Sequence, residues 1–420
     1  MNILWLKTEL LHPVDKGGKI RTYQMLKELK RKHHVTYLTL DDGSAAPDAR
    51  TLAVEYCHEL VCIPHRAKVK FSAHFYSDLA INLVSPLPYA LKKYENGAMR
   101  DEIQARVAKG KTDLLVCDFL TPAVNMPEDL DVAKVLFQHN VEAMIWKRHY
   151  EVQSNFLRKT YFRGQFSKMR AFEEAACRKF DIVVAVSVND AETMRREYGI
   201  TNVEDVPTGV DTEFFKPANN PEKRANNLVF TGSMDWLPNE DAINWFAESV
   251  FPIIKRSVPD VSLTVVGRNP LPSLVELSKR DPSVEVTGRV DDVRPYMDRA
   301  AAYIVPIRIG GGTRLKIYEA MAMELPTVST TVGAEGLPVE DGKHILLADS
   351  PEAFAAAVVK LLTRPEIGKD LGVASGSLVR ERFGWRGVTD RFIEISERAF
   401  GKSTMETEQI FGMPEVGGTI

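Results

Sequence analysis

Short apolar runs alternate with amphipathic helical stretches along this chain, and the alternation happens twice over. In the first half the runs are NILWLKT, HVTYLTL, ELVCIP, DLLVCDF, AKVLFQH and DIVVAVS, with helical spacing from Ile20 to Lys32 and from Asp190 to Tyr198 between them. Bounded runs of this length and composition predict strands buried on both faces. Strands separated by helices can pair only in parallel, because each crossover returns the chain to the same end of the sheet. The second half repeats the pattern with NLVFTG, VSLTVVG, VEVTG, AAYIVPI, LPTVST and HILLA, and with helices predicted at Glu240 to Lys255, Ser273 to Lys279, Val293 to Arg299 and Pro351 to Leu362. The sequence therefore predicts two α/β domains, each a doubly wound parallel sheet.

Between them lies VPTGVDTEFFKPANNPEKRANN, rich in Pro, Asn and Gly as a hinge should be. The predicted boundaries are 1–205 for the first domain and 206–383 for the second. A last helix at 384–400 opens at FGW, and 401–420, lacking periodicity, is predicted to be a disordered tail. A length of 420 residues with 44% hydrophobic and 26% charged residues suits two domains, each large enough to bury a core. A net charge of −3 argues against a nucleic-acid-binding protein. The four cysteines, Cys57, Cys62, Cys117 and Cys177, form no Cys-x-x-Cys pair and predict buried thiols in a reducing compartment. NILWL is too short for a signal peptide, and no apolar run approaches a membrane span. The expected location is the cytoplasm, at most resting on the inner face of the plasma membrane.

The stretch GGGTRLKIYEAMAMELP, Gly310 to Pro326, speaks most directly to function. Three glycines end the strand-like AAYIVPIRI just where a helix begins, and helix N-termini bind phosphate. Arg314 and Lys316 fall in the first turn, where the helix dipole disfavours cations; a bound anion reverses that preference. Glu319, one turn further on, can accept hydrogen bonds from sugar hydroxyls. Phosphate and sugar together point to a nucleotide. The competing reading is a strand, a glycine turn and a core helix whose cations are merely solvated.

GGGTRLK followed by EAMA resembles the donor-binding signature of glycosyltransferase family 4, retaining enzymes of GT-B architecture in which two Rossmann-like domains face a cleft. The resemblance implies that Gly311, Gly312, Thr313 and Glu319 bind a nucleotide-sugar donor, Glu319 gripping the ribose. The family's usual first carboxylate falls on Gly311, a departure that bears on donor choice. The segment Gly209, Val210, Asp211, Phe214 matches the family's interdomain link. The loop Asp15, Lys16, Gly17, Gly18 resembles the first-domain loop whose amides approach the donor's phosphates; a glycine pair that only relieves a turn is the alternative. His139 matches the family's histidine at the donor sugar, with Asn140 beside it. Asp118, ending DLLVCDF, is an acceptor-side candidate.

Family 4 usually carries Arg after the Gly that ends the second domain's first strand, and Lys six residues on. Here FTGSMDWLPNED places Ser233 and Asn239 there. A leaving diphosphate gains negative charge, so lost cations need replacement, and Arg314 with Lys316 can supply it. The implied reaction moves a sugar from a nucleotide sugar to a saccharide or lipid-linked acceptor hydroxyl with retention, in envelope or extracellular polysaccharide synthesis. No Asp-x-Asp motif suits a metal, so none is expected, and His139, Arg314 and Lys316 are the catalytic candidates. A non-catalytic nucleotide-sugar-binding protein of the same fold is an alternative, as is a nucleotide-sugar epimerase. An NAD(P) dehydrogenase has for support only Asp41 and Asp42 at a strand end, without Gly-x-Gly-x-x-Gly.

From Trp146 to Lys179 nine cations oppose three acids, interleaved with Trp146, Tyr150, Phe156, Tyr161, Phe162 and Phe166. The pattern fits an interfacial helix on anionic lipid or a channel for a lipid-diphosphate acceptor. It equally fits a helical pair whose aromatics pack on the sheet and whose cations are solvated.

Overall fold

A computed structural model of the chain describes residues 1–14, 17–65, 73–151, 155–219, 224–234, 237–309 and 315–410. The chain forms two compact units: Met1–Pro207 together with the chain from Val388 onward, and Thr208–Gly387.

The first unit holds seven parallel strands: β1 (Asn2–Lys7), β2 (His34–Asp41), β3 (Glu59–Pro64), β4 (Leu114–Asp118), β5 (Ala133–Gln138), β6 (Ile182–Ala185) and β7 (Val203–Asp205). Their order is β3-β2-β1-β4-β5-β6-β7, so the chain direction across the sheet reverses between β1 and β4. All six predicted strands are present. β7 escaped prediction because three residues carry no readable period. On one face Leu4 and Leu6 join Leu38, Leu40, Leu115 and Leu136 in the core. On the other, Trp5 packs on Phe137 and Phe392 at ring distances of 6.2 and 5.7 Å. Phe392 lies on helix Trp385–Ile410, whose buried Val388, Phe392, Ile395 and Ala399 recur at spacings of four, three and four, the stripe of an amphipathic helix.

The second unit has β8 (Asn227–Thr231), β9 (Ser262–Val266), β10 (Val284–Gly288), β11 (Ala302–Val305), β12 (Thr327–Ser329) and β13 (Leu346–Leu347), ordered β10-β9-β8-β11-β12-β13. Its reversal lies between β8 and β11. Phe230, Leu263, Val265 and Ile304 fill one side of the sheet; Val229, Val266, Tyr303 and Val305 meet Ile317, Tyr318 and Met321 of helix Leu315–Ala322 on the other. The helix predicted from Glu240 to Lys255 is broken. It runs Leu237–Trp245, passes through a π-turn at Phe246–Val250 and resumes at Phe251–Ser257. Pro252 is the cause: it has no N–H to give and its ring crowds the carbonyl four residues back.

Candidate active site

In an open doubly wound sheet the ligand crevice lies outside the carboxyl ends of the strands, where strand order reverses. In the second unit that place is the end of β8 beside β11. The ends of β8 and β9 approach so closely that a Cβ on Gly267 would stand 1.8 Å from Gly232 O. A Cβ on Gly232, whose φ is 158°, would stand 2.7 Å from Asn239 Nδ2 and 2.8 Å from Lys316 Nζ. The two glycines therefore make room for a polar cluster. Lys316 Nζ donates to Asn239 Oδ1 at 2.8 Å, and Asn239 Nδ2 donates to Ser233 O at 2.8 Å. Arg268, just past β9, donates from Nε to Ser233 Oγ at 2.8 Å. Lys316 also lies over the Phe230 ring, 4.5 Å from its centre, a cation–π contact that holds the ammonium in place.

Helix Leu315–Ala322 buries Ile317, Tyr318, Ala320 and Met321, which leaves Lys316 and Glu319 at its partly exposed margin three residues apart. Glu319 is pushed up to about 7 by burial, against the pull of Lys316. No hydrogen bond to its carboxylate occurs among the described residues. A half-buried carboxylate without donors, one helical turn from a cation, is suited to accept hydroxyls from outside the protein.

The first unit carries a second polar cluster at its own reversal point. Lys7 ends β1 and Asp118 ends β4, both buried, with Lys7 Nζ 2.9 Å from Asp118 Oδ2. The same oxygen accepts from Trp5 Nε1 at 3.0 Å and Thr22 Oγ1 at 2.6 Å. His139, just past β5, brings Nε2 to 2.7 Å from Asp118 Oδ1, a close polar contact whose angle is not that of a hydrogen bond. Arg21 Nη1 donates to His139 Nδ1 at 3.0 Å, so the ring is neutral with its proton on Nε2. Burial and the nearby Arg21 charge bring His139 down to about 3, overcoming the Asp118 carboxylate. Asp118 stays ionised: burial pushes it up, but Lys7 and His139 hold it well below the usual range.

Phe119 locks this cluster. Its φ of 71° is costly for a bulky residue, and its ring stacks on His139 with centres 3.7 Å apart. The strain turns the ring under Lys7 Nζ, 4.2 Å away. A Cβ on Gly18 would stand 2.8 Å from Phe119 Cζ, so Gly18 is small to admit that ring, whereas Gly17, first residue of helix Gly17–Leu29, has open space around it. A cavity of about 560 Å³ opens at the ends of β1, β2 and β4, lined among others by Lys7, Lys19, Asp41, Tyr94, Phe119 and Thr121.

The structure thus brings Ser233, Asn239, Lys316 and Glu319 into one site, and His139, Asp118 and Gly18 into another. Asn140 is exposed next to His139. Gly311, Gly312, Thr313 and Arg314, with Asp15 and Lys16, lie outside the described residues. Asp118 Oδ2 accepts from Trp5, Lys7 and Thr22, and Oδ1 faces His139 Nε2 without a hydrogen bond. Both oxygens of Asp41 are occupied, by Gly43 N and by Arg50, while Ser44 donates to one oxygen of the exposed Asp42. Among the described residues no three His, Cys, Asp or Glu side chains group as a metal ion would need, and no helix is long and apolar enough to cross a membrane. Sequence reasoning missed Lys7, Arg21 and Arg268. Lys7 alone carried a signal, as the charged last residue of an apolar run.

Of the basic aromatic stretch, helices Glu142–Glu151 and Phe156–Lys179 form a pair in which Trp146 and Phe166 pack on the core and Phe162 meets Trp146 and His149. Lys147 pairs with Glu151, Arg178 with Glu174 and Lys179 with Glu128, while Lys168 and Arg170 reach backbone carbonyls. Phe156 and Leu157, 78% and 76% exposed, stand at the helix start beside Arg158, Lys159 and Arg163.

Comparison with known proteins agrees with this architecture. Residues 16–214 match the family described as Glycosyltransferase Family 4, and residues 225–364 the family described as Glycosyl transferases group 1. An uncharacterised 44.6 kDa protein of the cps region of Klebsiella pneumoniae is 21% identical over 91% of this chain and 96% of its own. A GDP-mannose-dependent alpha-(1-6)-phosphatidylinositol monomannoside mannosyltransferase of Mycolicibacterium smegmatis is 25% identical over 51% of this chain and 62% of its own. Among solved structures, sucrose-phosphate synthase from Thermosynechococcus elongatus superposes with a TM-score of 0.67 at 18% identity, covering 96% of this chain and 100% of that one. Anabaena HepE in complex with UDP superposes with a TM-score of 0.63 at 13% identity, covering 94% and 99%. At these identities the superpositions speak to fold alone. With the two family matches they make the chain a glycosyltransferase of GT-B type resembling family 4.

Proposed function

We propose that this GT-B glycosyltransferase moves a sugar from a nucleotide-sugar donor to an acceptor hydroxyl with retention at the anomeric carbon, in the synthesis of envelope or extracellular polysaccharide. The observation that carries the reading is Glu319: half-buried, raised to about 7, without a donor among the described residues, and one turn from Lys316 at the reversal point of the second sheet. Its carboxylate is the group proposed to take the ribose hydroxyls, with the diphosphate toward Lys316 and, as a further proposed cation, Arg314. The cps-region and mannosyltransferase relatives support an envelope role.

In the proposed reaction the bond from the anomeric carbon to the donor phosphate breaks, the acceptor oxygen bonds that carbon on the same face, and its proton passes to the leaving phosphate. No protein nucleophile and no metal take part; positioning and fixed charge lower the barrier. His139, held neutral by Arg21 and oriented by Asp118, is the group proposed at the donor sugar, and the cavity beside Lys7 and Phe119 the place for the acceptor. The exposed Phe156 and Leu157 with Arg158, Lys159 and Arg163 support peripheral contact with anionic lipid, a narrower patch than the whole stretch from Trp146.

The test is a panel of nucleotide sugars with saccharide and lipid-linked acceptors. Product with the donor's anomeric configuration, formed together with one nucleoside diphosphate and without added metal, is expected. Donor binding without transfer to any acceptor favours a binding protein, and an inverted product or an absolute metal requirement contradicts the mechanism.

A further inference from the structure

We infer that Arg268 is a phosphate-binding residue of the donor site, its guanidinium serving the nucleoside diphosphate together with Lys316. The inference rests on the nucleotide reading of that site and goes beyond it, since nothing in the motif from Gly310 to Pro326 includes the loop after β9.

Four residues from four segments, the loops after β8 and β9 and the helices Leu237–Trp245 and Leu315–Ala322, form one chain of hydrogen bonds. Arg268 Nε donates to Ser233 Oγ, Asn239 Nδ2 donates to Ser233 O, and Lys316 Nζ donates to Asn239 Oδ1, each at 2.8 Å. The backbone tightens the link, as Met234 N donates to Arg268 O at 3.0 Å and Gly232 N to Val266 O at 2.9 Å. Two cations, rooted after β9 and on the helix after β11, are thus held to the loop and the helix that follow β8. They converge at the carboxyl ends of the strands flanking the reversal point, where the ligand of such a sheet binds.

The bond to Ser233 engages Nε and fixes the guanidinium at the carboxyl end of β9, and a guanidinium held as a permanent charge there suits phosphate oxygens. Arg268 is exposed, so that contact needs no rearrangement of the core. Gly267 explains why the residue sits there: any side chain at 267 would collide with Gly232 O, and only the close approach of the two strand ends brings Arg268 within reach of Ser233. Ser233 is short enough to be a tether. A long cation in its place would occupy the ground Arg268 fills.

The experiment titrates full-length protein with UDP and GDP by calorimetry, and with uridine and guanosine by ligand-observed NMR. Arg268→Ala should weaken the bound diphosphate about tenfold, or about 1.4 kcal/mol, and leave nucleoside binding unchanged. Arg268→Gln, which keeps a donor for Ser233 without the charge, should lose the same. Arg268→Ser combined with Ser233→Arg returns a guanidinium to the neighbouring loop and should regain most of the affinity. Unchanged diphosphate affinity in folded Arg268→Ala or Arg268→Gln, or equal weakening of the nucleoside, overturns the assignment. Wild-type protein that binds neither diphosphate removes the nucleotide reading itself, and this inference with it.

Discussion

The ammonium of Lys316 sits 2.8 Å from the amide oxygen of Asn239, a position where family 4 usually carries a lysine of its own. The charge is therefore kept while its root moves from the helix after β8, Leu237–Trp245, to the helix after β11. Gly232 makes the move possible, since a side chain there would collide with both groups. The unfavourable place of Lys316 in a first helical turn is offset locally by the Asn239 oxygen and the Phe230 ring.

Lys316→Ala should accordingly lower turnover by about 10²-fold while donor affinity falls less, because the charge on the diphosphate is largest as it leaves. Asn239→Lys in that background places an ammonium in the same space and should recover part of the rate. Steady-state kinetics on the three proteins decide it, and wild-type turnover in Lys316→Ala leaves the residue an ordinary partly exposed lysine.

Asp118→Asn removes the charge that compensates buried Lys7. Breaking one partner of such a pair costs about 3 to 5 kcal/mol, and the loss should appear in urea denaturation as a lower midpoint. An unshifted midpoint shows that the pair does not hold β1 to β4.

His139 makes stability depend on pH. Its folded value of about 3 lies below the ordinary 6.5, so between these values the unfolded chain binds more protons and stability rises with pH. The contribution is complete above 6.5 and is lost as pH falls toward 3. At about 1.4 kcal/mol per unit, moving from pH 7 to pH 5 should cost about 2 kcal/mol. His139→Gln should lose that much less over the same interval, and identical losses in variant and wild type contradict the buried neutral ring.

Twelve of the thirteen strands were legible because parallel strands buried on both faces are plain apolar runs. β7 was too short, and the break at Pro252 was hidden by apolar spacing that continues across it. Glu319 and Lys316 were legible because a motif places them. The cluster at the end of β4 was not: Lys7, Arg21, Asp118 and His139 are far apart in sequence and meet only through strand order. Gly18 was read as a loop glycine, yet the ring of Phe119 is what requires it to be small. Arg268 is invisible to any local pattern, since its partner Ser233 lies 35 residues away.

Protein should sediment with anionic vesicles and not with neutral ones, and salt should release it. Each Lys or Arg near the surface contributes about 1 kcal/mol, screened over about 8 Å at physiological ionic strength. Reversing the charges of Arg158, Lys159 and Arg163, or changing Phe156 and Leu157 to Ser, should each reduce sedimentation. Equal sedimentation with both vesicle types, or none with either, assigns these side chains to a solvated face.

The central claim is a donor site built on Glu319, and calorimetry of wild-type and Glu319→Gln protein tests it most directly. With the nucleoside diphosphate that wild type binds, the substitution should cost about 1.5 to 3 kcal/mol, the range for hydrogen bonds to a charged acceptor. Because Glu319 is raised to about 7, its ionised form grows between pH 6 and pH 8, and the affinity gap between the two proteins should widen across that interval. Equal affinities at every pH, with both proteins folded, contradict the account.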